Sequence, residues 1–204
     1  MTITWLLSAA LFSAVSSGSP GPNNMLLTTT GANHGFARAL PHILGTGFGI
    51  CIVMVGLAVF GSGLMANTTF RTTLKWAGIA YLVWLAWKIA TARPKTLDDG
   101  TVTAAPPLTF PQAVLFQAAN PKVWIGGISG IAAFGSALNG ASALVMGVTF
   151  SVLFSLIAMP CGAIWAATGG AVGRLLRSET SLRRFNLVMA LLLLVSLIPV
   201  VLSR

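Results

Sequence analysis

The chain has 204 residues, of which 55% are hydrophobic and 7% are charged, and its 12 Lys and Arg residues against 3 Asp and Glu residues give a net charge of +9. A mean hydropathy of +0.87 excludes an ordinary soluble domain, whose surface needs far more charge, so the outside of this protein must face lipid. The basic residues lie between apolar segments and form no basic face, which argues against nucleic acid as a partner.

Six stretches are long and apolar enough to cross a bilayer, for which about 20 residues are needed. A turn at residues 135–140 divides the longest uncharged run. The composition and these lengths predict an all-α integral membrane protein with six transmembrane helices. The six stretches are residues 3–30, 39–66, 72–91, 111–136, 141–171 and 182–203.

The first stretch is interrupted by the motif Ser-Pro-Gly-Pro-Asn-Asn at residues 19–24. Proline removes a backbone donor, so carbonyl groups near residues 16–18 lose their helical partners. Unpaired backbone groups in lipid cost several kcal/mol each, and a break at membrane depth therefore requires surrounding protein or a wet cavity. We expect helix one to be interrupted here, and a half-helix that begins near Pro22 to present its positive end as an anion site.

The fourth stretch is interrupted at Asn-Pro-Lys, residues 120–122. At about 1.5 Å per residue, Lys122 lies on the order of 16 Å from the start of this helix, near the middle of a hydrocarbon layer of about 30 Å. A central charge costs at least about 3 kcal/mol on insertion scales and usually lines a pathway. Lys122 can attract a substrate carboxylate or change its protonation during transport; a lysine that snorkels from a nearby helix end is the structural alternative.

The asparagines beside the two breaks can hydrogen-bond an amino acid's ammonium and carboxylate, or they can cap the broken helices, and the two uses are compatible. No Asp or Glu lies in any of the six stretches, so a dicationic substrate or a carboxylate proton relay has nothing to hold it. We expect no catalytic residue, no metal site and no cofactor. The predicted substrate-binding residues are Pro20, Gly21, Pro22, Asn23, Asn24, Gly45, Gly47, Asn120, Pro121 and Lys122.

Most other features predict structure. Glycines spaced by four residues favour close helix packing, although Gly45 and Gly47 can also leave room for a ligand. An aromatic cluster at residues 76–87 is typical of a membrane interface. His34 is expected at the surface, while His42 is a candidate for titration. The spaced glycine pairs are Gly31/Gly35, Gly45/Gly49, Gly126/Gly130 and Gly169/Gly173.

The two halves of the chain share an order of features. Connections after helices one, three and five hold eight Lys and Arg residues against three on the opposite side, which predicts both termini outside the cell's cytoplasm. A cytoplasmic loop at about 93–110 separates repeat one, about 1–92, from repeat two, about 111–204. Three helices per repeat invert the second repeat relative to the first, and matching Pro-interrupted segments point to a transporter's binding site.

Four motifs occur along the chain in an order that is typical of a known family. They are residues 19–24, Asn-His-Gly-Phe at 33–36, the aromatic run 76–88 and Asn-Pro-Lys at 120–122. This combination resembles the LysE/RhtB family of bacterial amino-acid exporters, over the whole chain. The resemblance implies a six-helix protein of the bacterial inner membrane, with both termini on the periplasmic side, that exports amino acids or their derivatives by means of the proton motive force.

Within that family, the Gly-Pro-Asn-Asn motif and the Trp-rich third helix look most like the branch that exports cysteine and O-acetylserine or homoserine-type compounds. Lysine and arginine exporters carry an acidic residue in helix two, where residues 45–49 stand here, so a basic substrate is not expected.

We therefore predict a secondary exporter of small neutral amino acids that works by proton antiport, with the substrate, protons and the lipid bilayer as partners. Its oligomeric state is not predicted. Two alternatives remain at this point: an ion or metal efflux protein, and a membrane thiol-disulfide oxidoreductase that uses Cys51 and Cys161. The lack of membrane carboxylates and of a His/Cys cluster argues against metal efflux.

Overall fold

The computed structural model describes residues 2–92, 106–136, 141–176 and 178–202, and it describes their side chains except at 62–66 and 199–200. The regular elements of these ranges are all helices, which confirms the predicted all-α class. They are α1 (Ile3–Gly18), α2 (Pro22–His34), α3 (Phe36–Ala66), α4 (Thr68–Thr91), α5 (Phe110–Ala119), α6 (Pro121–Phe134), α7 (Ala143–Leu175), α8 (Glu179–Val195) and α9 (Ile198–Leu202).

Both predicted interruptions are present. α1 ends at Gly18 and α2 begins at Pro22, with extended backbone at Ser19 and Gly21 between them. α5 and α6 are separated by Asn120 alone, whose backbone is also extended. Each new helix has proline at its first position, where the missing N–H has no helical acceptor in any case. The prolines therefore start new helices rather than kink a continuous one.

The helix bounds differ from the predicted stretches by a few residues at several ends, and two of these differences affect the fold. α3 begins at Phe36, so Pro41 lies inside its first turns. The last stretch is divided, because α8 ends at Val195 and the hydroxyl of Ser196 donates to the Leu193 carbonyl at 2.7 Å. Such side-chain bonds to the backbone compete with continuation of a helix. Most of the predicted loop at 93–110 and of the turn at 135–140 lies outside the described residues.

Two helices are long and apolar enough to cross a membrane within the described ranges: Phe36–Gly61 of α3, and α7. α1 is apolar but shorter. The outward face of α3 carries Leu40, Leu44, Phe48 and Ile52, which are 44% to 56% exposed. A continuous exposed stripe of this kind suits lipid rather than water. The number of membrane crossings stays a prediction.

Helix α7 packs against α1, α2, α3 and α6. Glycine permits the closest of these contacts, because a Cβ at Gly169 would strike the Thr28 carbonyl and one at Gly31 would strike the Ala166 carbonyl. The packing interpretation is confirmed for these glycines. Gly35 has a different role: its φ of 80° suits glycine, and it joins α2 to α3 in open space.

The aromatic cluster of α4 faces outward. The rings of Trp76, Trp84 and Trp87 are 44% to 61% exposed, and the Lys88 ammonium lies 4.4 Å from the centre of the Trp84 ring. Exposed tryptophans beside a lysine are typical of a membrane–water boundary. The interfacial belt therefore stays the best interpretation of this cluster.

Candidate functional site

The end of α1 is tied to α2 by Asn24. Its side-chain amide donates to the Ser17 carbonyl at 2.7 Å and to the Ser19 carbonyl at 2.9 Å, and the side chain is only 4% exposed. The carbonyl of Gly18 between them accepts from the indole N–H of Trp165 in α7 at 3.0 Å. The carbonyls that the first break frees are thus paired by side chains, and Asn24 has the capping role that was one of its two expected uses.

Lys122 connects the second break to the first. Its Nζ donates to the Ser19 carbonyl at 2.6 Å and lies 3.5 Å from the Pro20 carbonyl. The side chain crosses directly over Gly21, since a Cβ there would lie 2.9 Å from Lys122 Cδ. The ammonium is therefore held at the first break rather than extended away from the bundle, and the two breaks face each other.

Asn23 is the centre of a second network. Its Oδ1 accepts from Thr46 Oγ1 at 2.9 Å and from Gln117 Nε2 at 3.0 Å, and it lies 3.2 Å from His42 Nε2. The side chains of His42 and Gln117 are completely buried, and Thr46 is 2% exposed. One carboxamide oxygen therefore holds α2, α3 and α5 together.

Asn120 extends this network to the second break. Its Oδ1 accepts from the backbone N–H of Lys122 at 3.2 Å, which caps α6, and its Nδ2 donates to Gln117 Oε1 at 3.3 Å. Gln117 thus bridges Asn23 and Asn120. A hydrogen-bonded path runs from the start of α2, through α5, to the start of α6.

A cavity of about 40 Å³ lies between the two breaks. It has room for a few waters. Among the described residues that line it, Lys122 alone is charged, and the start of α2, which has no side-chain cap, adds the positive end of a helix dipole. The cavity is therefore electropositive. Its lining consists of Ser16, Ser17, Gly21, Asn23, Asn24, Thr46, Ile50, Gln117, Asn120, Lys122, Val123, Phe154 and Ala158.

Half of the predicted site residues line this cavity: Gly21, Asn23, Asn24, Asn120 and Lys122. The others lie beside it or elsewhere. Pro20 belongs to the first break, and Pro22 and Pro121 start α2 and α6. A Cβ at Gly45 would meet the Phe110 carbonyl of α5, and one at Gly47 would meet the Met159 side chain of α7, so both glycines lie against neighbouring helices.

Sequence reasoning missed Thr46 and Gln117 and left His42 without a place in the site. Thr46 lies between the two glycines that were singled out, and Gln117 precedes the second break by three positions. Each is a polar side chain in an apolar stretch, a pattern that marks buried hydrogen-bonding groups. A polar residue within an apolar stretch was therefore the signal that could have identified Thr46 and Gln117.

The chain has clear relatives among known proteins. The LysE type translocator family matches residues 14–200. Proteins named cysteine/O-acetylserine efflux protein from Escherichia coli strain K12, Escherichia coli O1:K1 / APEC and Shigella sonnei strain Ss046 are 34% identical over 194 residues, which is 95% of this chain and 95% of each relative. No solved structure matches.

These matches cover nearly the whole chain and confirm the resemblance that the four motifs indicated. They also decide between a transporter and an enzyme, since the family and the relatives are translocators and efflux proteins. The predicted transporter is therefore confirmed, and the alternative of a thiol-disulfide oxidoreductase that uses Cys51 and Cys161 is not. This chain is a membrane protein that belongs to the LysE type translocator family.

Proposed function

We propose that the protein is a secondary exporter of small neutral amino acids of the cysteine and O-acetylserine type, and that the cavity between the two breaks is its substrate site. The observation that carries this proposal is the pairing of the Lys122 ammonium with the Ser19 carbonyl at the first break, beside the electropositive cavity that Lys122 lines. The relatives' names supply the substrate class.

The geometry suits a zwitterion. A substrate carboxylate that draws the Lys122 ammonium toward itself would form a charge-assisted hydrogen bond. The Ser19 carbonyl would then lose one of its two donors and could accept from the substrate's own ammonium, while Asn24 stays in place. Binding of an α-amino acid therefore breaks one hydrogen bond, between Lys122 and Ser19, and forms two, one to the substrate carboxylate and one to its ammonium. No buried group is left without a partner.

The residues that line the cavity favour a substrate with a neutral side chain. No carboxylate of the described residues faces the cavity, and part of its lining is apolar, namely Ile50, Val123, Phe154 and Ala158. A lysine or arginine side chain would find neither an opposite charge nor enough polar atoms there. Because the cavity holds only a few waters, the site must widen to admit any amino acid.

The six-helix inverted repeat is part of the proposal and has support from packing. Each half of the chain contains a broken first helix, a long helix and a further helical segment in the same order. The long helix of each half packs against the broken helix of the other half. α7 packs against α1 and α2, and α3 packs against α5 and α6, as expected for two halves related by symmetry. We place both termini on the periplasmic side of the inner membrane, as the Lys and Arg distribution indicates.

Transport in liposomes tests the function directly. Purified protein in liposomes preloaded with unlabelled O-acetylserine should take up labelled O-acetylserine by exchange, whereas liposomes without protein should not. An interior more acidic than the exterior should drive net uptake if substrate and proton move in opposite directions. Exchange of lysine at the same rate as O-acetylserine, or no exchange of any neutral amino acid, would contradict the proposal.

The substitution Gly21→Ala is expected to weaken substrate binding about 3- to 10-fold, a cost on the order of 1 kcal/mol. An added Cβ would lie 2.9 Å from Lys122 Cδ and 3.1 Å from Nζ, so the flexible lysine must move away from the Ser19 carbonyl. The melting temperature should change little, since no backbone atom is displaced. The matched control is Gly18→Ala at the end of α1, just before the break, where a Cβ meets nothing within 4 Å. Equal effects of the two substitutions on binding would refute this explanation.

A further inference from the structure

His42 is a buried ionisable side chain that the substrate site itself does not use. It lies in α3, it is completely buried, and its ring packs edge-on against Phe116 of α5 with ring centres 6.4 Å apart. Nε2 lies 3.2 Å from Asn23 Oδ1, and Nδ1 has no hydrogen-bond partner among the described residues. Buried polar atoms without a partner are rare and require an explanation.

The neighbours of Asn23 fix which ring nitrogen carries hydrogen. Asn23 Oδ1 accepts from Thr46 and Gln117, so it acts as an acceptor toward His42 as well. In the neutral ring, Nε2 therefore holds the hydrogen and Nδ1 has a free lone pair. The structure thus contains a buried base with an open position for one proton at Nδ1.

We propose that His42 carries the proton that is exchanged for the substrate, a role that rests on the proposed antiport function. A proton from the periplasmic side binds at Nδ1 while Nε2 keeps its own, and the resulting cation later releases the Nδ1 proton to the cytoplasm. The ring is neutral again after one cycle, so one proton enters for each substrate that leaves.

Asn23 couples this proton to the substrate. A cationic ring strengthens the hydrogen bond from Nε2 to Asn23 Oδ1, because charge-assisted bonds are stronger than neutral ones. Asn23 also lines the cavity, and its oxygen is shared with Thr46 and Gln117. The bound proton and the bound substrate therefore favour different positions of the Asn23 carboxamide. Antiport requires that the binding of one disfavours the binding of the other.

No other titratable group of the described residues is hydrogen-bonded to the His42 ring. α2 presents Asn23 to His42, and α5 presents Phe116, neither of which titrates. Lys122 of α6 is held at the first break, where its ammonium donates to the Ser19 carbonyl. Four more side chains can carry a charge, and none of them hydrogen-bonds His42 within the described part of the chain. They are Arg38, which is exposed one turn before His42 on α3, Cys51 on α3, Tyr81 on α4 and Cys161 on α7.

The test separates exchange from proton-driven transport. His42→Gln protein in liposomes is compared with unmodified protein and with His34→Gln, which changes the chain's other histidine. We expect pH-driven accumulation by His42→Gln to fall to the level seen without a gradient, and exchange to be affected much less. His34→Gln should behave like the unmodified protein. Accumulation by His42→Gln at the unmodified level would overturn the role of His42 and leave the exporter proposal intact, whereas no exchange by the unmodified protein would overturn both.

A second measurement keeps the inference testable if His42→Gln does not fold. In the His34→Gln background His42 is the only histidine, so its imidazole signals in an NMR spectrum report its protonation directly. At a pH where these signals show His42 to be partly protonated, saturating O-acetylserine should shift them toward the neutral ring and release a proton to the medium. Proton release without any change in the His42 signals would overturn the inference and identify another carrier.

Discussion

Replacing Lys122 by methionine is expected to weaken substrate binding strongly and to leave the protein folded. Methionine keeps an unbranched apolar chain but removes the one charge that lines the cavity among the described residues. A hydrogen bond to a charged group contributes about 1.5–3 kcal/mol, so substrate affinity should fall about 10- to 100-fold. Stability should be largely retained, because the Ser19 carbonyl still accepts from Asn24 at 2.9 Å.

The matched control for this prediction is Lys88→Met. The Lys88 ammonium lies over the Trp84 ring and does not line the cavity. Exchange of labelled O-acetylserine by this variant should match that of the unmodified protein when the amounts of folded protein are equal. Wild-type exchange by Lys122→Met would remove the lysine from substrate binding.

Asn24→Leu is expected to produce the largest loss of stability. The leucine cannot donate to the Ser17 carbonyl, which then has no donor in its buried position, and the Ser19 carbonyl loses one of its two donors. An unsatisfied buried acceptor costs about 1–3 kcal/mol, and the first break should open because its cap is gone. Asn24→Asp should be at least as harmful, since a carboxylate would face two carbonyl oxygens.

Thermal unfolding in detergent measures this effect, with Asn67→Leu as the control. Asn67 also caps a helix, since its Oδ1 accepts from the Phe70 N–H at 2.9 Å, but this cap is exposed to solvent. An ordinary cap contributes about 1 kcal/mol. If Asn24→Leu and Asn67→Leu lowered the melting temperature equally, the buried cap would have no special role in the first break.

The features that sequence alone predicted depend on local chemistry. Pro20, Pro22 and Pro121 each stand beside Ser, Gly or Asn, which favour turns, so the two breaks could be placed without knowledge of the fold, whereas Pro41 and Pro160 lie inside continuous helices. A lysine far from the ends of an apolar stretch is costly, which marked Lys122. The family resemblance was also correct, because its motifs are short, local and in a fixed order.

The remaining features depend on how helices meet. Asn23 and Asn24 are adjacent and identical in type, yet Asn24 caps α1 while Asn23 joins α3 and α5. The helical rotation of about 100° between neighbours sends them to different partners, and no sequence pattern states which partner lies there. For the same reason Thr46 and Gln117 were missed, although both are polar residues in apolar stretches.

The central claim is that Lys122, held at the meeting point of two broken helices, binds the carboxylate of the exported amino acid. Its most direct test is a binding titration of O-acetylserine and of its carboxamide derivative, which lacks the negative charge, against unmodified protein and Lys122→Met. We predict that unmodified protein binds the acid about 10- to 100-fold more tightly than the amide and that Lys122→Met loses this preference. An undiminished preference in Lys122→Met would contradict the account.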